Sequence, residues 1–146
     1  MTSLNALIKQ IQAIAESHSQ ISNFAVGQRY DFGAAAALTY PVLWVVPNGA
    51  SMSGNNFDYS LVFILMDLEQ TGGENQVEIL SDSLLILVDV LAKLRELFEP
   101  IANEEIINTG TFTPFVDAQL DTVSGHSIEV TVRTFNANDV CNNIFN

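Results

Sequence analysis

The stretch Asp58-Tyr-Ser-Leu-Val-Phe-Ile-Leu-Met-Asp-Leu68 constrains this chain more than any other, because it has the length of one strand and is apolar on both faces. In a pleated strand Tyr59, Leu61, Phe63 and Leu65 share one face, and Val62, Ile64, Met66 and Leu68 share the other. Leaving either set in water forfeits about 1.5 to 3 kcal/mol per large side chain, so about 6 to 12 kcal/mol for four, comparable with a domain's whole stability. Both faces therefore need cover. In a chain of 146 residues two sources of cover stay open, a helix of the same chain or another subunit.

A second segment makes the same demand. Pro41 opens Val42-Leu43-Trp44-Val45-Val46, again apolar on both faces, and Pro47-Asn48-Gly49 reads as the turn that closes it. The Ser-, Gly- and Asn-rich residues Asn48 to Asn56 predict a flexible connection into the strand at Asp58, with the two strands antiparallel. His126 to Phe135 behaves differently: Ile128, Val130 and Val132 alternate with Ser127, Glu129, Thr131 and Arg133, the pattern of a strand with one wet face. Gly110 to Val116 reads as a further strand with Pro114 at an edge or bulge, and Asn23 to Phe32 contains a short one. Gly33 to Ala37 reads as a loop, and the Asn-rich residues after Phe135 read as an arm.

Two segments carry the helical period. Leu4, Leu7, Ile8, Ile11, Ile14 and Ala15 line one side of a first helix, with Thr2 or Ser3 as cap. After Gly72-Gly73, Asn75 and Glu78 have the spacing of a capping box, and a long helix runs on to Pro100. Its buried face is expected to hold Val77, Leu80, Leu84, Leu87, Val88, Leu91, Leu94 and Phe98, widened by Ile79, Ile86, Val90 and Leu97. Glu78, Asp82, Asp89, Lys93 and Glu96 form its solvated side. The element order predicts a single domain over residues 1–146 of the α+β class: a mainly antiparallel sheet of four to five strands with two helices packed on one side.

Composition narrows the function. The chain is 48% hydrophobic, enough to offset its ordering entropy by burial. Seventeen carboxylates outnumber Lys9, Arg29, Lys93, Arg95 and Arg133, and the net charge of −12 argues against a surface that grips phosphates. No specific nucleic-acid binding is expected. The start of the chain lacks the pattern of a signal peptide, no apolar run is long enough to span a membrane, and the one cysteine, Cys141, excludes an internal disulfide.

Catalytic motifs are missing. The chain has no G-x-G-x-x-G, Walker loop, H-E-x-x-H, C-x-x-C or EF-hand spacing. His18 and His126 each stand alone, and Asp82 and Asp89 are about 10 Å apart along their helix, too far to share a proton or a metal. Asp117, Asp121 and Glu129 lack a glycine-spaced ligand loop, and Asp121 to Gly125 reads as a turn. No enzyme, metal or cofactor is expected.

A set of short signatures spans almost the whole chain: Phe24, Gly27 and Asp31-Phe32; Tyr40-Pro41-x-Leu43-Trp44-Val45-x-Pro47; Asp67; Glu78-Ile79-Leu80-Ser81-Asp82; Pro114-Phe115-x-Asp117; Asp121-x-Val123-x-Gly125; Cys141. The set resembles the small neck or tail-completion proteins of tailed bacteriophages, and the element order is similar to the tail-terminator fold. The resemblance implies a virion protein assembled in the host cytoplasm, one that forms a homo-oligomeric ring, a hexamer, at the neck or tail end. Such a ring terminates the tail or joins it to the head and contacts neighbouring neck or tail proteins, while DNA passes through its lumen. It places the oligomer or partner contacts at Phe24, Arg29, Tyr30, Asp31, Phe32, Trp44, Met52, Asn55 and Phe57. The charge also allows an acidic DNA mimic that inhibits a host DNA-processing enzyme, although the acids are scattered singly rather than in blocks.

Overall fold

A computed structural model describes residues 3–28, 39–98, 104–117 and 122–135. The elements run α1 (Leu4–Ser17), β1 (Asn23–Val26), β2 (Val42–Ser53), β3 (Asn56–Leu68), α2 (Gln76–Phe98), β4 (Glu104–Thr109), β5 (Thr113–Asp117) and β6 (Val123–Phe135). The architecture is α+β, with one sheet in the order β1-β2-β3-β6-β4 and with β5 also paired to β6. β1 runs parallel to β2, and every other pairing is antiparallel.

Six strands replace the four to five expected, and the extra one is β4. Its Glu104-Glu-Ile-Ile-Asn-Thr109 offers no clean alternation, and a register shift between Ile106 and Asn108 further blurs its period. β3 occupies one side of β6 along its length, so β4 and β5 lie end to end on the other side, opposite residues 134–130 and 127–123. The sheet is thus six strands by count and five across.

The hairpin also departs from expectation. Asn48 to Asn56 is not a flexible connection: β2 continues to Ser53, and Gly54-Asn55 makes a tight turn, with Gly54 at φ 59°. Between Pro47 and Ala50, three steps along β2 match two along β3, a bulge with Gly49 at φ 113°. The extra residue flips the alternation of β2. Leu43 and Val45 point to one face with Phe63 and Leu65, and beyond the bulge Ala50 and Met52 pair with Tyr59 and Phe57 on that same face.

Both helices pack on that face. Leu7, Ile11, Ile14 and Ala15 of α1 and Ile86, Leu87, Val90, Leu91, Leu94 and Phe98 of α2 join Leu43, Val45, Tyr59, Leu61, Phe63, Leu65, Ile128, Val130 and Val132 in one core. Ser3 Oγ caps α1 by accepting from the Ala6 N–H at 3.1 Å. Asn75 does not act as the expected capping side chain. Its Oδ1 accepts from the Gln70 N–H at 2.6 Å and its amide donates to Leu68 O at 3.4 Å, which fastens the turn before α2.

The opposite face carries a second core of Val42, Trp44, Val46, Ile64, Met66 and Val123, with Ala25, Tyr40, Val62 and Phe115 packed against it. Of the two sources open to the doubly apolar strands, the chain itself supplies the cover of this face, except at Leu68, 44% exposed. Ile64 and Val42 are fully buried and Met66 is 1% exposed within the single chain. At the other end the same face is wet, as the alternation in β6 predicts. Arg133 Nε and Nη2 donate to Asp58 Oδ1 and Oδ2 at 2.9 and 3.1 Å, and Ser60 Oγ donates to Glu129 at 2.8 Å. The paired Asp58, with Glu105 nearby, raises the Arg133 pKa above its ordinary value.

Candidate functional site

The pair with most potential for chemistry is Ser83 on α2 and His126 on β6, with Oγ and Nδ1 2.9 Å apart. Ser83 is 3% exposed, and its Oγ lies within hydrogen-bond distance of both Leu80 O, at 3.2 Å, and the imidazole, so the tautomer of His126 sets which of the two accepts its proton. Burial lowers the His126 pKa, and a hydrogen bond to the Leu80 backbone opposes that shift. The arrangement ties α2 to the sheet. A nucleophile needs an oxygen that substrate can reach, and Ser83 is buried.

A cavity of about 310 Å³ lies beside this pair, between the first turns of α2 and the end of β3. Leu65, Met66 and Ile86 contribute apolar wall and Asp67 and Asp82 carboxylates. A second cavity of about 290 Å³ separates α1 from β1. His18 Nε2 lies 3.2 Å from Asp89 Oδ2, an α1-to-α2 link at the surface. Among the described residues no three His, Cys, Asp or Glu side chains gather as a metal site, and no helix is long and apolar enough to cross a membrane.

The expected contact residues separate into distinct environments. Trp44 is 3% exposed, and its indole N–H donates to Gly27 O at 3.1 Å, so its ring belongs to the chain's own second core. Phe24 is half-buried against the helix-side core. Phe57 packs there too, its ring edge-on to Tyr59 with centroids 5.1 Å apart. Asn55 lies exposed in the hairpin turn, and Met52 beside it is 70% exposed. Arg29, Tyr30, Asp31 and Phe32 lie outside the described residues.

A larger exposed surface lies on α2. Val77 is 77% exposed, Leu85 60% and Val88 45%, although Val77 and Val88 were expected in the core. Together with Ser81, the half-buried Leu84 and Ala92 they fall within about 100° of helix circumference, on the side turned away from the sheet. No charged residue interrupts this stripe. Glu78, Asp82, Asp89, Lys93 and Glu96 occupy the neighbouring flank, exposed as expected for the solvated side.

No family model matches the chain, and no curated protein matches it.

The α2 stripe had a trace in the sequence. Apolar residues occupy more positions around this helix than one sheet-facing side can take, so some had to face outward. Which side faced outward depends on how α2 sits over β3 and β6, and periodicity does not encode that.

Proposed function

We propose that this chain is a structural virion protein of a tailed bacteriophage, a subunit of a homo-oligomeric ring at the neck or tail end that terminates the tail or joins it to the head. On this reading it catalyses nothing. Support comes from the chain-long resemblance to tail-completion proteins and from an α+β fold with both helices on one face of a mostly antiparallel sheet.

The observation that carries the reading is the distribution of charge. A chain at −12 exposes several stretches without a charged residue, among them the outer stripe of α2, the β2–β3 hairpin around Met52, and residues 19–28 and 106–116. Copies can meet there without forcing carboxylates together. The remaining acids suit a lumen that repels DNA phosphates and lets the genome pass. Light scattering and negative-stain microscopy of the purified chain test this: a closed ring is expected, and a strict monomer at every concentration refutes it.

The row of Glu78, Asp82, Asp89 and Glu96 along one flank of α2, interrupted only by Lys93, favours a second reading, an acidic DNA mimic that inhibits a host DNA-processing enzyme. That reading requires a monomer whose inhibition of a nuclease is lost on Asp82→Asn and Asp89→Asn substitution together.

A further inference from the structure

We infer that the cavity between the first turns of α2 and the end of β3 binds an organic cation on a short apolar stem: an alkylammonium or alkylguanidinium group, free or as a lysine or arginine side chain. The site lies within one chain and does not depend on the ring reading. Its floor is apolar, lined by Leu65, Ile79 and Ile86, each no more than 4% exposed. Beside them stand two carboxylates. Asp67 at the end of β3 is half-buried, and Asp82 on α2 is exposed, which sets it at the solvent side.

The chain supplies no counter-charge for these acids. Among the described residues no Lys or Arg lines the cavity or pairs with either of them. Among the same residues Asp82 has no hydrogen-bond partner, and Asp67 has one, the Leu68 N–H, which its Oδ1 accepts at 2.8 Å. Two other cavities show the contrast, one beside α1 and one where β4 gives way to β5. Each has a single carboxylate on its wall, and that carboxylate is engaged: Glu16 Oε1 accepts from Gln12 Nε2 at 3.0 Å, and Glu129 Oε1 accepts from Ser60 Oγ at 2.8 Å.

Ser124 also lacks a partner. It pairs with Asp67 in the ladder, which puts both side chains on the helix side of the sheet, about 5 Å apart at Cβ. Ser124 is fully buried, and its hydroxyl meets no donor or acceptor among the described residues. Buried hydroxyls are ordinarily paired. An N–H donor held by Asp67 has that oxygen as a second acceptor.

Size and charge select the ligand class. A cavity of about 310 Å³ is at the lower end for small-molecule sites and suits a group the size of one side chain. The stems of lysine and arginine lie along apolar surface while their charged heads stay near solvent, which matches a floor of Leu65, Ile79 and Ile86 beside Asp67 and Asp82. An anion is repelled by both acids. A hard metal ion would find two carboxylates and an apolar floor, short of its usual shell of oxygens.

Amide NMR of the full chain, titrated with n-pentylamine hydrochloride, tests the site. Saturable shifts are expected at Leu65, Asp67, Ile79 and Asp82, with affinity falling as salt is added. Pentan-1-ol is the uncharged control and should bind at least about tenfold more weakly. Asp82→Asn, at an exposed position, should weaken pentylamine binding about three- to tenfold, and its combination with Asp67→Asn should abolish saturable binding. The rest of each spectrum reports whether the variant is folded. Nα-acetyl-lysine N-methylamide and its arginine counterpart separate the two sources. Binding as tight as that of pentylamine assigns the site to a protein side chain, and binding of pentylamine alone assigns it to a free amine. Shifts centred outside this cavity, no saturable shift with any of the cations, or equal affinity for pentanol and pentylamine overturns the inference. So does undiminished binding by Asp82→Asn.

Discussion

Gly125 provides the sharpest test of the sheet's construction. It faces Met66 in the β3–β6 ladder, and a Cβ added there would overlap the Leu65 carbonyl oxygen and crowd the Met66 Cα. The obstacle is backbone, which cannot rotate away as a side chain can. Gly125→Ala must therefore push β6 away from β3 at the point where Leu65 pairs with His126. Overpacking of this kind costs about 1–3 kcal/mol. Each ladder hydrogen bond stretched out of range adds about 1 kcal/mol. A total of about 2–4 kcal/mol is a large part of a domain's stability. With a urea dependence of about 2 kcal/mol/M, the unfolding midpoint should fall by about 1–2 M. Gly110→Ala is the control, because the nearest atom to its added Cβ is Glu129 O at 3.4 Å. If the two alanine variants unfold at the same midpoint, the close approach of β3 to Gly125 is wrong.

Three further perturbations have defined outcomes. Leu87→Ala empties a fully buried position on α2 and should cost about 2–5 kcal/mol in the same urea titration. Asp58→Asn removes the charge that holds both Arg133 nitrogens, so the midpoint should fall, and the deficit relative to wild type should shrink at high salt. His126 has a folded pKa below its ordinary value, so just below pH 6.5 the unfolded chain binds a proton that the native chain refuses. Its contribution is therefore complete above that pH and declines as the pH falls towards the folded value. Wild type should lose more stability than His126→Gln between pH 7.5 and 5.5, and an equal loss would show that His126 is not buried in its neutral form.

Much of the fold was legible because burial and period coincide where the chain is simplest. Ile128, Val130 and Val132 alternate cleanly and face the helices, and α1 buries Leu7, Ile11, Ile14 and Ala15 as its spacing predicts. What escaped depends on partners distant in sequence. β4 exists because β6 has a free side, and Glu104 and Glu105 give little local hint of a strand. The tight turn at Gly54-Asn55 was hidden in a Ser- and Gly-rich stretch that also suits a loop. For the contact residues, exposure mattered more than residue type. Trp44 reads as a contact anchor in isolation, yet its hydrogen bond to Gly27 O and its place among Val42, Val46, Ile64 and Met66 make it core.

The burial of Ile64 and Met66 within one chain moves the case for the proposed ring from the sheet to exposed uncharged surfaces such as the outer stripe of α2, and this has a consequence for salt. An assembly held by ion pairs weakens as salt is added. An assembly of −12 subunits held through uncharged patches should strengthen, because the long-range repulsion between subunits is screened while the apolar contact is not. The screening length falls from about 10 Å at 0.1 M salt to about 3 Å at 1 M, so carboxylates on adjacent subunits cease to sense each other beyond direct contact. The concentration at half-assembly, followed by sedimentation or light scattering, should therefore decrease steadily across that range. An increase would place charged groups, such as Lys9 or Arg95 against a neighbour's acids, at the centre of the contact and would refute assembly through uncharged surfaces.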